Sequence, residues 1–334
     1  MKSSNIGGQA VMEGIMMRHK DKYSIAVRRP DNEIELKVED YKCVFGNAKF
    51  LKYPLIRGVV SFVDSLVVGT KCLMYSAEIA GDEEDEEDKQ KNAALSEEEL
   101  AAKKAKEDKQ FKWLLYVTVA VSIVVSVAAF MLLPYALASL CRRVGASEFA
   151  VTIVEAFVKL ALFMGYMLLI SRMKDIQRTF MYHGAEHKCI NCIEHGMPLT
   201  VENVRKSSRQ HKRCGTSFLF FVMIVSIIFC FFITAESQVL KVGIRIALMP
   251  VIAGVSYEII RLAGSSENPL VNVLSKPGMW VQMMTTKEPD DSMIEVAIRA
   301  VEEVFDWKAY LEENFSKTEE SFGENKCTQE ECAL

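Results

Sequence analysis

Histidine is scarce in this chain, with five residues in 334. A di-iron membrane oxygenase spreads more imidazoles than that over several boxes, so that chemistry is excluded. The first forty residues hold no apolar core of signal-peptide length, and no secretory leader is expected. The glycines of Gly7–Arg18 suit tight backbone. Both G-x-G-x-x-G and the lysine with serine or threonine of a phosphate loop are missing, which argues against nucleotide binding. Nucleic acid is not an expected partner either. The acidic run Asp82–Asp88 lacks the spaced ligands and the glycine of a calcium loop, so it reads as the start of a like-charged, solvated linker over 81–110, disordered or loosely helical. No internal repeat is found. The nine cysteines are scattered, mostly in segments expected in the cytosol or in membrane spans, so disulfides are not expected.

Apolar residues are abundant, and they are segregated. The chain is 50% hydrophobic and 25% charged, a combination that arises when the two kinds of residue occupy separate blocks. Residues 113–140 carry no charge and are long enough to cross a bilayer; further spans are expected at 149–171, 216–235 and 243–263. Lysine and arginine concentrate in 172–215, whereas 141–148 and 236–242 offer only Arg142, Arg143 and Lys241. By the positive-inside rule both termini and the 172–215 loop are expected in the cytoplasm.

Outside the spans, Tyr23–Arg29 and Glu33–Val38 alternate apolar and polar residues across Pro30-Asp31-Asn32, which predicts a hairpin in a β-containing unit over 1–50. Residues 54–80 read as one helix, interfacial or packed on the spans, rather than a fifth crossing. Residues 265–334 return to water. Trp280, Met283 and Met284 are candidates for the membrane face or the core. Ile294, Ala297, Ile298, Val301 and Phe305 form the apolar stripe of a helix capped near Asp290. The last residues, with Cys327 and Cys332, read as disordered. The expected fold is mainly α, a polytopic membrane protein with about four transmembrane helices and a small β-containing N-terminal cytoplasmic unit.

The chemistry concentrates in Tyr182–Lys188. His183 and His187 are four residues apart, so on a helix they leave one face and can share a metal ion. Glu186 lies beside them, placed to take a proton from a metal-bound water. The spelling H-x-x-E-H is that of the inverted zinc-peptidase motif. His211 and Cys214, further along the same loop, complete a nitrogen and sulfur set suited to zinc. A closed set of four would be structural, whereas three ligands and a water would be catalytic. Spacing leaves both open. Cys189 and Cys192 form a C-x-x-C without the βαβ context of a redox motif, and are candidates for extra ligands. Within the spans, Glu155 and Lys159 are spaced to pair, while Glu258 and Arg261 lie one turn apart. Glu258 is a reserve metal ligand, because ionisable groups at membrane depth are functional candidates.

Seven segments together resemble the YqhQ-like family of bacterial membrane proteins. They are GGQAVMEGIMMR at Gly7–Arg18, RGVVS at Arg57–Ser61, YHGAEHK at Tyr182–Lys188, LTVENVR at Leu199–Arg205, RCGTSF at Arg213–Phe218, GVSYEIIRLAG at Gly254–Gly264 and TTKEPDDSMIE at Thr285–Glu295. Cys189 and Cys192 depart from the family pattern. The resemblance implies a bacterial inner-membrane protein of a family labelled as metal-dependent enzymes, with no substrate attached. Three readings follow. The first is a zinc-dependent hydrolase at the cytoplasmic membrane surface, acting on a peptide, a membrane protein or a lipid-linked substrate. The second is a membrane assembly factor or scaffold with a structural metal. The third is a small-solute transporter using Glu155, Lys159 and Glu258, which the lack of inverted repeats disfavours.

Overall fold

Four antiparallel strands open the chain: Gly7–Val11 (β1), Gly14–His19 (β2), Lys22–Arg28 (β3) and Ile34–Asp40 (β4), in sheet order 1-2-3-4. The computed structural model describes residues 2–46, 48–81, 97–233, 237–266 and 268–315. The acidic run Asp82–Asp88 and the tail with Cys327 and Cys332 lie outside the described residues. β3 and β4 form the hairpin that the alternation predicts, with Arg28 opposite Ile34 and Asn32 at φ +68° in the turn. The β1–β2 hairpin is less legible, because β2 is buried on both sides and its Ile15-Met16-Met17 run does not alternate.

Side chains of the sheet separate by parity. Ile15, Met17 and Ala26 pack on helices Lys174–Glu194 (here α5) and Asp291–Glu302 (here α10), within a core that includes Tyr182, Ile190, Ile193, Met293, Ile294 and Val301. Val11, Met16, Tyr23, Ile25 and Val27 point the other way and meet Cys72, Val68, Tyr75 and Ile79 of helix Ile56–Ala80 (α1). The remaining elements between α1 and α10 are α2 (Glu97–Val127), α3 (Leu133–Ser139), α4 (Glu148–Ile170), α6 (Val201–Lys206), α7 (Gly215–Phe232), α8 (Gln238–Ser265) and α9 (Pro269–Thr285); α11 (Trp307–Phe315) follows. Asp290 caps α10 by accepting from the Met293 amide at 2.9 Å, as its position before the apolar stripe predicts.

Among the described residues, five helical segments are long and apolar enough to cross a membrane: Ile56–Ala80, Tyr116–Val144, Glu148–Ile170, Gly215–Phe232 and Val239–Ser265. The last four match the spans expected from the sequence, and α1 is the additional one. The second half of α1 is packed on the sheet, with Lys71 paired to Glu39; in the first half, Asp64 accepts from Tyr41 Oη, just past β4, at 2.5 Å. Along Tyr116–Val144 the side chains of Tyr116, Ile123 and Val124 are each more than half exposed, apolar surface that suits contact with lipid.

The chain divides into two units. The first comprises Met1–Ala80, Met167–Ser226 and Ala247–Leu334, and holds the sheet, α5 and α10. The second comprises Gly81–Tyr166 and Ile227–Ile246. In the second, Glu155 pairs with Arg245 at 2.7 Å and more loosely with Lys159 at 3.8 Å, so its principal partner is an arginine rather than the expected lysine.

Candidate metal centre

α5 carries the motif and buries nearly all of its second half. One turn separates His183 from His187, whose rings lie 4.4 Å apart between centroids. Each Nδ1 is committed: that of His183 donates to the Thr285 carbonyl at 2.8 Å, and that of His187 to the Arg209 carbonyl at 2.7 Å. A carbonyl oxygen only accepts, so the proton of each neutral ring sits on Nδ1 and the Nε2 lone pair is left for a ligand. Cys214, in the turn before α7, brings its Sγ to 3.3 Å from His183 Nε2. One donor atom from each of His183, His187 and Cys214 lies within 4.8 Å of the others. Two imidazole nitrogens and a thiol at that separation are a donor set that would suit zinc.

The loop that delivers Cys214 is tied down by polar side chains. Asn191 donates to the carbonyls of Ser208 at 2.6 Å and Gln210 at 2.8 Å, and Lys188 to that of Arg205 at 2.8 Å. Gln282 of α9, fully buried, clamps the backbone of His211: its Oε1 accepts from the amide at 3.0 Å and its Nε2 donates to the carbonyl at 2.6 Å. The segment after α9 lies against α5 at Gly184, where a Cβ would collide with the Lys287 carbonyl oxygen. Glycine is needed there for the close approach that sets Thr285 opposite His183.

Glu186 is 5% exposed, and burial pushes its carboxyl above the usual range. Its side chain lies on the backbone of β1 at Gly8, where a Cβ would come within 2.9 Å of Glu186 Cγ and Cδ. Burial opposes the charged forms of His183 and Cys214 alike. Their mutual attraction outweighs it, raising His183 to about 9 and holding the thiol well below its ordinary value.

His211 and Glu258 do not join this group. The His211 ring is 5.9 Å from that of His187, but its Nε2 donates to Glu194 Oε2 at 3.2 Å and its Nδ1 accepts from the Arg213 amide at 3.3 Å. Both nitrogens are thereby used. Glu258 is held in a two-pronged ion pair by Arg57, at 2.7 and 2.5 Å, with Arg261 3.9 Å away. Cys189 and Cys192 are buried in the core on another face of α5, where burial raises both thiols.

Glu194, close to the C-x-x-C in sequence, is a buried acid to which spacing assigns no role. Fully enclosed, it accepts from the Ser4 amide at 2.7 Å, from Ser4 Oγ at 2.8 Å, from His211 and from Arg213. Burial opposes its charge, but His211 and Arg213 outweigh that and hold it down at about 2. The Thr285 and Arg209 carbonyls leave no mark in a sequence, because every residue carries one.

The family described as "Protein of unknown function (DUF1385)" matches residues 53–307, a range that includes His183, Glu186, His187 and Cys214. The chain belongs to this family. One member, the "Uncharacterized protein YqhQ" of Bacillus subtilis (strain 168), is 36% identical over 321 residues, which cover 92% of this chain and 94% of the relative. The YqhQ-like resemblance read from the motifs is therefore borne out. No solved structure matches the chain.

Proposed function

We propose that this chain is a zinc-dependent hydrolase working at the cytoplasmic face of the bacterial inner membrane, on a peptide or lipid-linked substrate. The observation that carries the reading is the three-donor set of His183, His187 and Cys214 with Glu186 buried beside it. Three protein ligands and a free position are the pattern of catalytic rather than structural zinc. When bound, zinc would supply Lewis acidity to a water in that position. His183 and His187, fixed through Nδ1, hold their Nε2 atoms in place. Glu186, buried beside these donors, would be placed to take a proton from that water.

The membrane arrangement in this reading has four crossings, at Tyr116–Val144, Glu148–Ile170, Gly215–Phe232 and Val239–Ser265. The sheet, α5 and α10 share one core, so each pair of them in sequence needs an even number of crossings between its members. Counting α1 would make three crossings between the sheet and α5. α9 supports a site close to the bilayer. Leu270, Val273, Leu274, Trp280 and Met283 form its exposed apolar stripe, while Gln282 and Thr285 on its buried face hold His211 and His183.

A second reading has one observation in its favour. His187 and Cys214 are only 2% and 4% exposed, as in a metal that staples a loop within an assembly factor or scaffold. Glu186→Gln separates the two, because it keeps the shape of the side chain and removes the basic carboxylate. It is expected to keep the metal and lose complementation of a deletion strain. Full complementation would leave the structural metal as the better account.

A further inference from the structure

A cavity of 360 Å³ lies within the first unit, away from the metal centre, between the 43–53 loop, the start of α1 and the last turns of α8. That volume is in the range that holds small molecules. Lys52, Arg57 and Arg261 line it, with the hydroxyls of Ser61 and Tyr257, and no acidic residue does. The two carboxylates nearby are committed. Glu258 is paired to Arg57, and Asp64, 2% exposed, accepts from Tyr41 and the Val44 amide. The cavity therefore presents an excess of positive charge and hydroxyl donors, the chemistry of a phosphate site.

The surroundings choose the source of the phosphate. Val44, Phe45, Phe50, Tyr53, Leu55 and Ile56 each expose more than 40% of their surface, interleaved with Lys49 and Lys52. Exposed aromatic and aliphatic side chains between lysines are the make-up of a segment seated at the headgroup level of a bilayer. Arg261 stands one turn from the end of α8, the depth at which a spanning helix meets headgroups. We propose that this cavity is a headgroup site for an anionic phospholipid, with the phosphate held by Lys52 and Arg261, Arg57 staying paired to Glu258, and the acyl chains lying along the exposed apolar residues of the loop. The inference rests on α8 being a span.

The test is binding of the full-length, detergent-purified chain to phosphatidylglycerol and to phosphatidylcholine, followed by native mass spectrometry. Phosphatidylglycerol is expected to bind more tightly, and Lys52→Ala with Arg261→Ala to weaken it about thirtyfold, toward the phosphatidylcholine value. Both side chains are largely solvent-exposed, and an unchanged melting transition in lipid-free detergent checks folding; Lys52→Glu alone is the second variant, expected to act in the same direction. Equal binding of the two lipids, or no effect of the substitutions, would overturn the proposal. Inorganic phosphate that displaces phosphatidylglycerol at comparable concentration would overturn the choice of a lipid. Failure of the span itself is read separately, by release of the chain from membranes in alkaline carbonate.

Discussion

At the scale of single residues, the centre depends on two kinds of group. His183, His187 and Cys214 offer donor atoms, whereas Glu194, Gln282 and Asn191 hold the loop that brings Cys214 to the histidines. Glu194 is the strongest of the second kind, because one buried carboxylate gathers Ser4, His211 and Arg213. Removing its charge leaves Arg213 without a counter-ion, and Glu194→Gln is expected to cost about 3 kcal/mol in thermal or denaturant unfolding. The pH dependence has a definite sign. A carboxylate held at about 2 when folded contributes stability that is complete above its ordinary value of 4.5 and is lost as pH falls from there toward 2. The wild type is expected to lose stability through that window, and Glu194→Gln to show a shallower loss. Parallel acid melting curves for the two proteins would contradict this.

At the scale of elements, the Thr285–Pro289 segment acts as a brace along α5. The Lys287 amide donates to the Phe180 carbonyl at 2.8 Å, and the Thr285 carbonyl orients His183. Gly184→Ala is expected to push the brace away, at a cost of ~1–3 kcal/mol, and to weaken metal binding although residue 184 offers no donor. Retention of full metal affinity would show that the brace is not needed to orient His183. Much of this level was legible in the sequence. The β3–β4 hairpin followed from alternation, the α10 cap from Asp290, and the pairing of His183 with His187 from helical spacing. The β1–β2 hairpin was not, because a strand buried on both faces has no alternation to read. His211 and Cys214 look equivalent in sequence, three residues apart on one loop. Only the folded chain distinguishes them, by giving both nitrogens of His211 to protein partners. The pairing of Glu258 is illegible for a similar reason: its partner Arg57 is 201 residues away in sequence.

At the scale of the molecule, one core shared by the sheet, α5 and α10 constrains the route through the membrane. In the proposed arrangement single cysteines introduced at exposed positions near residues 20, 205 and 303 all face the cytoplasm. They are expected to resist an impermeant thiol reagent in intact cells and to react after permeabilisation. Reaction at one of these positions alone in intact cells would contradict an even number of crossings between them, and reaction at all three would reverse the orientation. Whether His183, His187 and Cys214 hold a metal is decided by elemental analysis of the purified full-length chain. Roughly one zinc per chain is expected, retained in Glu258→Gln and lost in His183→Ala, His187→Ala and Cys214→Ser. Negligible zinc in the wild type, or zinc that survives all three of the last substitutions, would contradict it.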